Sequence, residues 1–321
     1  WLTPERAAWI AQDFSDFESW ADFFAIQNAV FGVDADSRLF VQGSLAFTGN
    51  LNLYMGQLAA GGTLIAEDVF LPGKWEQVMA RERANGIYLI PSKLLMLPRV
   101  FKGVNANIRT IISGSQSLGR KDAEVLKKIF PNTEITLYYG ASELNYITYV
   151  KSADMTEERN LIGKPFPGVR VFIQDDEMYV DNAFHVENIT VPYSLKDSGR
   201  MDLQGNFYFL GRTDDIVGVR GRKVSMMKIE NALEEVAGIT EAAVVLLPKE
   251  KDADMPAEIV SAFVTVEGTD VPENLRQQLK EKLADFEIPK RVIVLEAFPK
   301  NTSGKVDKAR LKKMWIEQEP Q

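Results

Sequence analysis

The sequence predicts an α/β fold: a layered, mostly parallel sheet core, then a small antiparallel β subdomain, then a separate α+β C-terminal lid domain. Three observations carry this. Short apolar strands alternate with helix-period segments through the first half of the chain. After Gly163-Lys164-Pro165 the pattern becomes short strands and turns. The cluster Gly211-Arg212-Thr213-Asp214-Asp215 then breaks the chain before helices and strands resume. The 321 residues are enough for two domains. We place them at 1–212, with the parallel core running to about 165 and the β subdomain from about 166, and at 213–321.

The elements follow in order. Residues 17–33 read as an amphipathic helix, 38–45 as a buried strand, and Gly61-Gly62 introduces a strand at 63–66. Residues 75–85 have helical period, with Gly86 as the C-cap signal. Residues 87–90 read as a strand stopped by Pro91. A strand at 108–112, a turn at 113–118, a helix at 120–130 and a strand at 135–139 continue the rhythm. Beyond the charged break come a helix at 228–237, strands at 242–247 and 258–266, a helix at 273–285 and a strand at 291–295.

Composition narrows the function classes. The chain is 45% hydrophobic and 26% charged, and no apolar run reaches the ~18 residues of a membrane span. It has no cysteine, which excludes disulfides and thiolate chemistry and fits a cytoplasmic location. Its one histidine, His185, leaves no histidine-rich metal site. A net charge of −8 argues against broad nucleic-acid binding, although residues 300–313 are basic and suit a surface that meets a polyanion. The start, Trp1-Leu2-Thr3-Pro4-Glu5, has neither Met nor the pattern of a signal peptide. The chain is expected to be processed, trimmed or incomplete.

Four stretches have the residue types of a nucleotide site. Tyr138-Tyr139-Gly140-Ala141-Ser142-Glu143 ends a strand, where ligands bind in open α/β sheets. A ring at Tyr139 can stack on a base, Gly140 admits close backbone approach, Ser142 can donate to a phosphate, and Glu143 can hold Mg²⁺. A strand ending in an ordinary glycine turn reads the same way. Ser113-Gly114-Ser115-Gln116 makes a thin wall against which a flat ring can lie. Asp197 and Arg212, separated by a turn at Gln204-Gly205-Asn206, can receive ribose hydroxyls or form a structural salt bridge. Thr302-Ser303-Gly304-Lys305 is an exposed turn whose lysine can neutralise phosphate charge, or a plain solvated loop.

Taken together in this order, the four stretches resemble the adenylate-forming superfamily of acyl-CoA synthetases, nonribosomal peptide synthetase adenylation domains and luciferases. Tyr139 to Glu143 is similar to its Y-G-x-[ST]-E motif, the stretch from Asp197 to Asp215 to its ribose aspartate and hinge, and Gly304-Lys305 to its catalytic loop. The resemblance implies ATP, Mg²⁺ and coenzyme A, with Lys305 and Glu143 catalytic and Glu143 the metal ligand. It implies nucleotide contacts from Gly114, Ser115, Tyr139, Gly140, Ser142, Asp197 and Arg212. Asp214 would be the hinge, and Gly218, Arg220 and Gly221 would face the thiol step. The look of residues 139–148 is that of bacterial fatty-acyl-CoA ligases.

The departures are specific. The family's glycine-rich phosphate loop should precede Trp20, yet residues 1–19 contain no glycine. The chain is therefore expected to be part of a longer enzyme or a non-catalytic remnant. Val217 stands where the family often has lysine, and Leu195-Lys196 where it has T-G. Amino-acid-activating relatives often carry an aspartate after a phenylalanine; here Phe47 is followed by Thr48. A buried ammonium without a counter-charge is costly, so an uncharged acyl tail is expected. Ser44, Phe47, Ala141 and Leu144 would form its pocket. The implied partners are a small carboxylic acid, ATP and CoA, with an acyl carrier protein the alternative acceptor. An amino-acid adenylation enzyme is the rival reading.

Overall fold

The computed structural model describes residues 17–43, 45, 48–187, 189–213, 216–219, 221–249, 258–268, 270–300 and 306–317. The chain separates into two compact units: residues 1–195 with 199–209, and residues 196–198 with 210–321.

The first unit is built on strands β1 (Arg38–Gln42), β2 (Thr63–Glu67), β3 (Gly86–Tyr88), β4 (Thr110–Gly114) and β5 (Glu134–Ala141). They lie in the order β2-β1-β3-β4-β5 and all pair in parallel. All five residues of β4 are buried, the run expected where a parallel sheet is covered on both faces. Successive side chains alternate between the faces. Phe40, Ile87, Ile111 and Leu137 point to one core, where they meet Trp75 and Met79 of α3 (Pro72–Arg81) and Leu126 of α6 (Arg120–Ile129). Leu39, Val41, Tyr88, Ile112 and Tyr138 point to the other. There they meet Phe23 and Phe31 of α1 (Phe17–Phe31) and Leu53 of α2 (Thr48–Ala59).

On the far side of β5 the pairing changes. Strand β6 (Asn145–Lys151) runs antiparallel to β5, and β7 (Leu161–Pro165) antiparallel to β6. Strands β8 (Val169–Gln174), β9 (Glu177–Asn182), β10 (Tyr193–Met201) and β11 (Phe207–Arg212) extend the same sheet in the order β7-β11-β10-β9-β8. The antiparallel part thus begins at residue 145, not near 166, and is joined edge to edge to the parallel part through β7.

The second unit has its own three-stranded sheet, β14 (Ile239–Pro248), β15 (Glu258–Val266) and β16 (Arg291–Val294). Ala242, Val244, Ala262 and Val264 pack on Ile229 and Leu233 of α7 (Met226–Glu234) and on Leu279 of α8 (Leu275–Lys280). The alternate residues Ala243, Val245 and Phe263 pack on Leu311 of α9 (Lys308–Glu317). Ser225 caps α7 by accepting the Lys228 N–H at 3.3 Å. Strands β12 (Ile216–Val219) and β13 (Arg222–Ser225) form a separate hairpin.

Several sequence expectations change. Gly86 is not a helix cap: α3 stops at Arg81, Arg83 takes the left-handed turn at φ 53°, and Gly86 opens β3. A Cβ on Gly86 would lie 2.9 Å from Leu39 Cδ1 and 3.1 Å from Thr110 Cγ2, so the glycine serves strand packing. The strand expected at 38–45 ends at Gln42, and the helix expected at 273–285 is regular only over α8. Helix α2 has no counterpart among those expectations, because its Gly, Asn and Thr residues have low helical propensity. Its buried Asn52 and Gln57 are held by tertiary contacts instead; the Gln57 amide donates to Ser37 O at 2.7 Å.

Two glycines with the same backbone twist test this description. Gly163 (φ +81°) would place a Cβ 2.5 Å from the Tyr149 carbonyl carbon, whereas Gly205 (φ +80°) has open space. Gly205→Ala should cost about 1 kcal/mol of urea-unfolding stability and Gly163→Ala about 3 kcal/mol. Equal costs would refute the close approach at Gly163.

Candidate active site

The motif residues 139–143 sit where the sheet changes from parallel to antiparallel pairing. The register slips between Tyr139 and Gly140, and Ala141 and Asn145 close the hairpin. A Cβ on Gly140 would lie 2.5 Å from the Asn145 carbonyl oxygen and 3.2 Å from Tyr146 Cα, so only glycine fits. Asn145 takes the left-handed region at φ 62° and uses its side-chain oxygen to accept the Tyr146 N–H at 2.9 Å. The hairpin leaves Tyr139 half-buried, its ring centroid 5.8 Å from that of Phe209. The Ser142 hydroxyl accepts from Thr48 Oγ1 at 3.1 Å, joining the motif to the first residue of α2. Glu143 accepts the Val186 N–H on its carbonyl at 3.0 Å and keeps a half-buried carboxylate.

Among the described residues no group of three or more His, Asp or Glu side chains converges on a metal-sized space. A single carboxylate on a turn suits an ion held chiefly by phosphate oxygens and water, which is the habit of Mg²⁺.

The wall at β4 is built differently from the sequence expectation. Ser113 is buried and donates to Leu89 O at 2.7 Å, and Ser115 turns the chain at φ 69°. The flat ring against Gly114 is the chain's own. Tyr138, beside Gly114 in register on β5, lays its ring where a Gly114 side chain would stand, with Cε2 and Cε1 2.6 and 2.7 Å from the Cβ position. Gly114 therefore has only its backbone to offer a nucleotide.

The Tyr138 hydroxyl lies 2.9 Å from that of Tyr88, and the Tyr146 hydroxyl donates to Gly49 O at 3.3 Å. Burial drives the phenol pKa of all three rings up. Leu144 is wholly buried in the core beside Tyr146 and Ile147, so it does not line an open acyl pocket. Its place is structural, because β6 turns this stretch inward. Ala141 is half-buried at the same hairpin. Ser44 and Phe47 lie outside the described residues.

The remaining candidates belong to the second unit. Asp197 is buried on β10 and Arg212 is exposed at the end of β11. Gly218 and Gly221 lie on the β12–β13 hairpin; Gly221 takes φ +77°, and a Cβ on either would meet nothing within 4 Å. That bare backbone suits close approach of a ligand. Asp214, Arg220 and Lys305 lie outside the described residues. The residues flanking 301–305 are described: Lys300 and Val306 form an antiparallel bridge, and Asp307 N donates to Pro299 O at 2.8 Å.

Three lysines of the basic tail are already paired, Lys300 with Glu241 and Lys308 with Glu230, each at 2.7 Å, and Lys313 with Glu317 at 3.4 Å. The cationic surface read from the sequence is reduced by that much. Sequence reasoning missed Phe286 and Lys290, which with Arg222, Glu258 and Asp285 border a cavity of about 710 Å³. Arg222 lies over the Phe286 ring at 4.7 Å. Those residues are distant in sequence, so spacing gives no signal.

Comparison with known proteins is consistent across the chain. The family model described as AMP-binding enzyme matches residues 18–183, and that of the AMP-binding enzyme C-terminal domain matches residues 228–305. The acyl-CoA ligase YhfT of Bacillus subtilis, itself uncharacterized, is 25% identical over 94% of this chain and 65% of its own length. Bacitracin synthase 1 of Bacillus licheniformis is 29% identical over 64% of this chain, which is 4% of that protein. The structure of O-succinylbenzoate coenzyme A synthetase of Bacillus subtilis, in complex with ATP and magnesium ion, superposes with a TM-score of 0.78. It is 19% identical, over 92% of this chain and 66% of that one. The chain thus spans just under two thirds of the first of these relatives.

The tyrosine cluster gives a pH test. Tyr88, Tyr138 and Tyr146 ionise above the ordinary value of 10.0 because burial opposes the phenolate. Their contribution to stability is complete below the unfolded-state pKa of about 10 and is lost as pH rises beyond it. In a spectrophotometric titration these three of the nine tyrosines should ionise only as the protein unfolds. Smooth ionisation of all nine near pH 10 in the folded state would contradict the cluster.

Proposed function

The chain belongs to the AMP-binding enzyme family, and from that premise we propose that it activates a carboxylic acid with ATP as an acyl-adenylate and passes the acyl group to the thiol of coenzyme A. The observation that carries this is the hairpin at 139–143, which holds Tyr139, Ser142 and Glu143 at the outer end of β5 by a turn only Gly140 permits. A strand end in an open α/β sheet is where a nucleotide is received.

The chemistry follows from charge. An acid carboxylate attacks the α-phosphorus of ATP and pyrophosphate leaves, so an anion must approach a polyanion. Glu143 would hold Mg²⁺, which would supply charge neutralisation at the phosphates. Tyr139 stacks on the adenine, the backbone of Gly114, Ser115 and Gly140 borders it, and Ser142 donates to a phosphate. Asp197 and Arg212 hold the ribose. Lys305 places its ammonium between the acid and the α-phosphate, where negative charge grows.

In the second step a thiol attacks the acyl carbon and AMP leaves. That step has no growing phosphate charge for Lys305 to meet. The 213–321 region is then free to turn about Asp214 and present Gly218, Arg220 and Gly221 instead. Arg222 and Lys223 are further candidates for coenzyme A phosphates. A fatty or other uncharged acid fits best, since Thr48 stands where a carboxylate would be needed to pair an amino-acid ammonium.

In the full-length protein, Lys305→Ala should lower acid-dependent ATP–pyrophosphate exchange at least about 100-fold. Thioester formation from supplied acyl-adenylate and coenzyme A should fall only a few-fold. Equal loss of both steps would exclude the two-step role of the loop. Exchange supported by amino acids rather than uncharged acids would point to carrier-protein loading, and no exchange with any acid to a non-catalytic protein.

A further inference from the structure

We propose that Asn52 is a positioning residue for nucleotide binding: through Asn145 it fixes the closing end of the hairpin that carries Ser142 and Glu143, and so sets how tightly the protein holds ATP with Mg²⁺ without bearing on the acid. The inference rests on the proposed function, in which Ser142 meets a phosphate and Glu143 holds the metal.

Helix α2 supplies the geometry. Thr48 and Asn52 lie four residues apart on it, one above the other on the same face. Both reach the hairpin. Thr48 Oγ1 donates to Ser142 Oγ at 3.1 Å, and Asn52 Nδ2 donates to Asn145 Oδ1. These two contacts fall on either side of Glu143. A third joins the same helical turn to the start of β6, where the Tyr146 hydroxyl donates to Gly49 O at 3.3 Å.

Asn145 is the residue through which such a contact can act. Its left-handed backbone, at φ 62°, makes the tight return, and its carbonyl oxygen faces Gly140. Its side-chain oxygen accepts the Tyr146 N–H at 2.9 Å. The Asn52 amide brings a second donor to that oxygen and thereby ties the turn to the helix. Asn52 is itself held in place, because its carbonyl accepts from the wholly buried Gln27 Nε2 at 3.3 Å.

The pairing is a poor choice for stability alone. Asn52 is 2% and Asn145 7% exposed, yet Asn52 Oδ1 and Asn145 Nδ2 have no hydrogen-bond partner among the described residues. A leucine at 52 would fill a similar volume and leave no orphaned acceptor, and a buried amide left half-bonded carries a desolvation cost. Turning both amides over keeps one bond between them but takes the acceptor from the Tyr146 N–H, so that arrangement is no better. Polar groups kept in a core at such a cost belong where position matters more than stability.

The test compares the full-length protein with Asn52→Leu and Asn145→Gly. The leucine removes the donor at 52, and the glycine keeps the left-handed turn while removing the acceptor. Calorimetric titration with a non-hydrolysable ATP analogue reads binding apart from catalysis, once with Mg²⁺ and once with the metal chelated. Each substitution should weaken binding with Mg²⁺ about tenfold, and binding without Mg²⁺ should change less. The urea midpoint of the Asn52→Leu protein should not fall. The double variant should bind no more weakly than Asn145→Gly alone, since both changes remove one contact. In acid-dependent pyrophosphate exchange the KM for ATP should rise by the same factor, while that for the acid stays within about twofold. Unchanged analogue binding in both variants overturns the proposal, whatever the urea midpoint. So does a rise in the acid KM equal to that for ATP, or a double variant whose loss is the product of the two single losses. Wild-type protein that binds the analogue but supports no exchange with any acid overturns the proposed function instead, and the titrations still decide the role of Asn52. Wild-type protein that binds no analogue overturns both.

Discussion

The Asn145 carbonyl oxygen stands 2.5 Å from where Gly140 would carry a Cβ, and the rest of the candidate site depends on that contact. It fixes the bulge at Tyr139 and Gly140, and with the bulge the point at which the sheet changes from parallel to antiparallel pairing. Everything upstream is a sheet covered by helices on both faces, which can offer a ligand only its strand ends. Beyond it in the same sheet, β5–β6, β6–β7, β7–β11 and β8–β9 pair antiparallel and can turn tightly. The hairpin is where the two regimes meet, so it can set Tyr139, Ser142 and Glu143 at the rim while Tyr138 and Tyr146 stay in the core. Gly114 uses the same absence of a side chain inward. It lets a ring cross a strand and ties β5 to β3 through two hydroxyls.

The second unit is organised on another principle. Its core is small and divided by the three-stranded sheet between α7 and α8 on one face and α9 on the other. Of its described candidate residues, Asp197, Arg212 and Gly218 lie on strands and Gly221 on the turn between β12 and β13. Lys300 and Val306, on either side of residues 301–305, form a bridge, and Lys300 and Lys308 make ion pairs beside it. Half-exposed pairs of this kind are each worth about 0–1 kcal/mol, so they orient the bridge more than they stabilise it.

The parallel strands are legible in the sequence because their apolar runs are short, continuous and separated by helical period, and β15 matches its expected bounds to the residue. The elements that sequence reasoning misreads are those whose stability is tertiary. Helix α2 contains Gly49, Asn50, Asn52 and Gly56, poor formers in isolation, and forms because Asn28 and Gln57 satisfy backbone carbonyls around it. Gly86 resembles a helix terminator only in sequence; in space it is squeezed between Leu39 and Thr110. Apolarity alone assigns Leu144 to an acyl wall, and apolarity does not distinguish a pocket lining from a core.

The sequence by itself determined the family resemblance, the alternation that makes an α/β sheet, and the identities of Tyr139, Ser142, Glu143, Asp197, Arg212 and Lys305 as the candidate site residues. These are local in the chain: a motif, a period, a spacing. Only the tertiary structure decided that Tyr138 fills the space over Gly114, that Tyr88 meets it from two strands away, and that Thr48 touches Ser142. Those contacts join residues far apart in sequence. They arise from strand order, and strand order is set by which apolar faces can be buried together, a property of the whole sheet that no short stretch of residues contains.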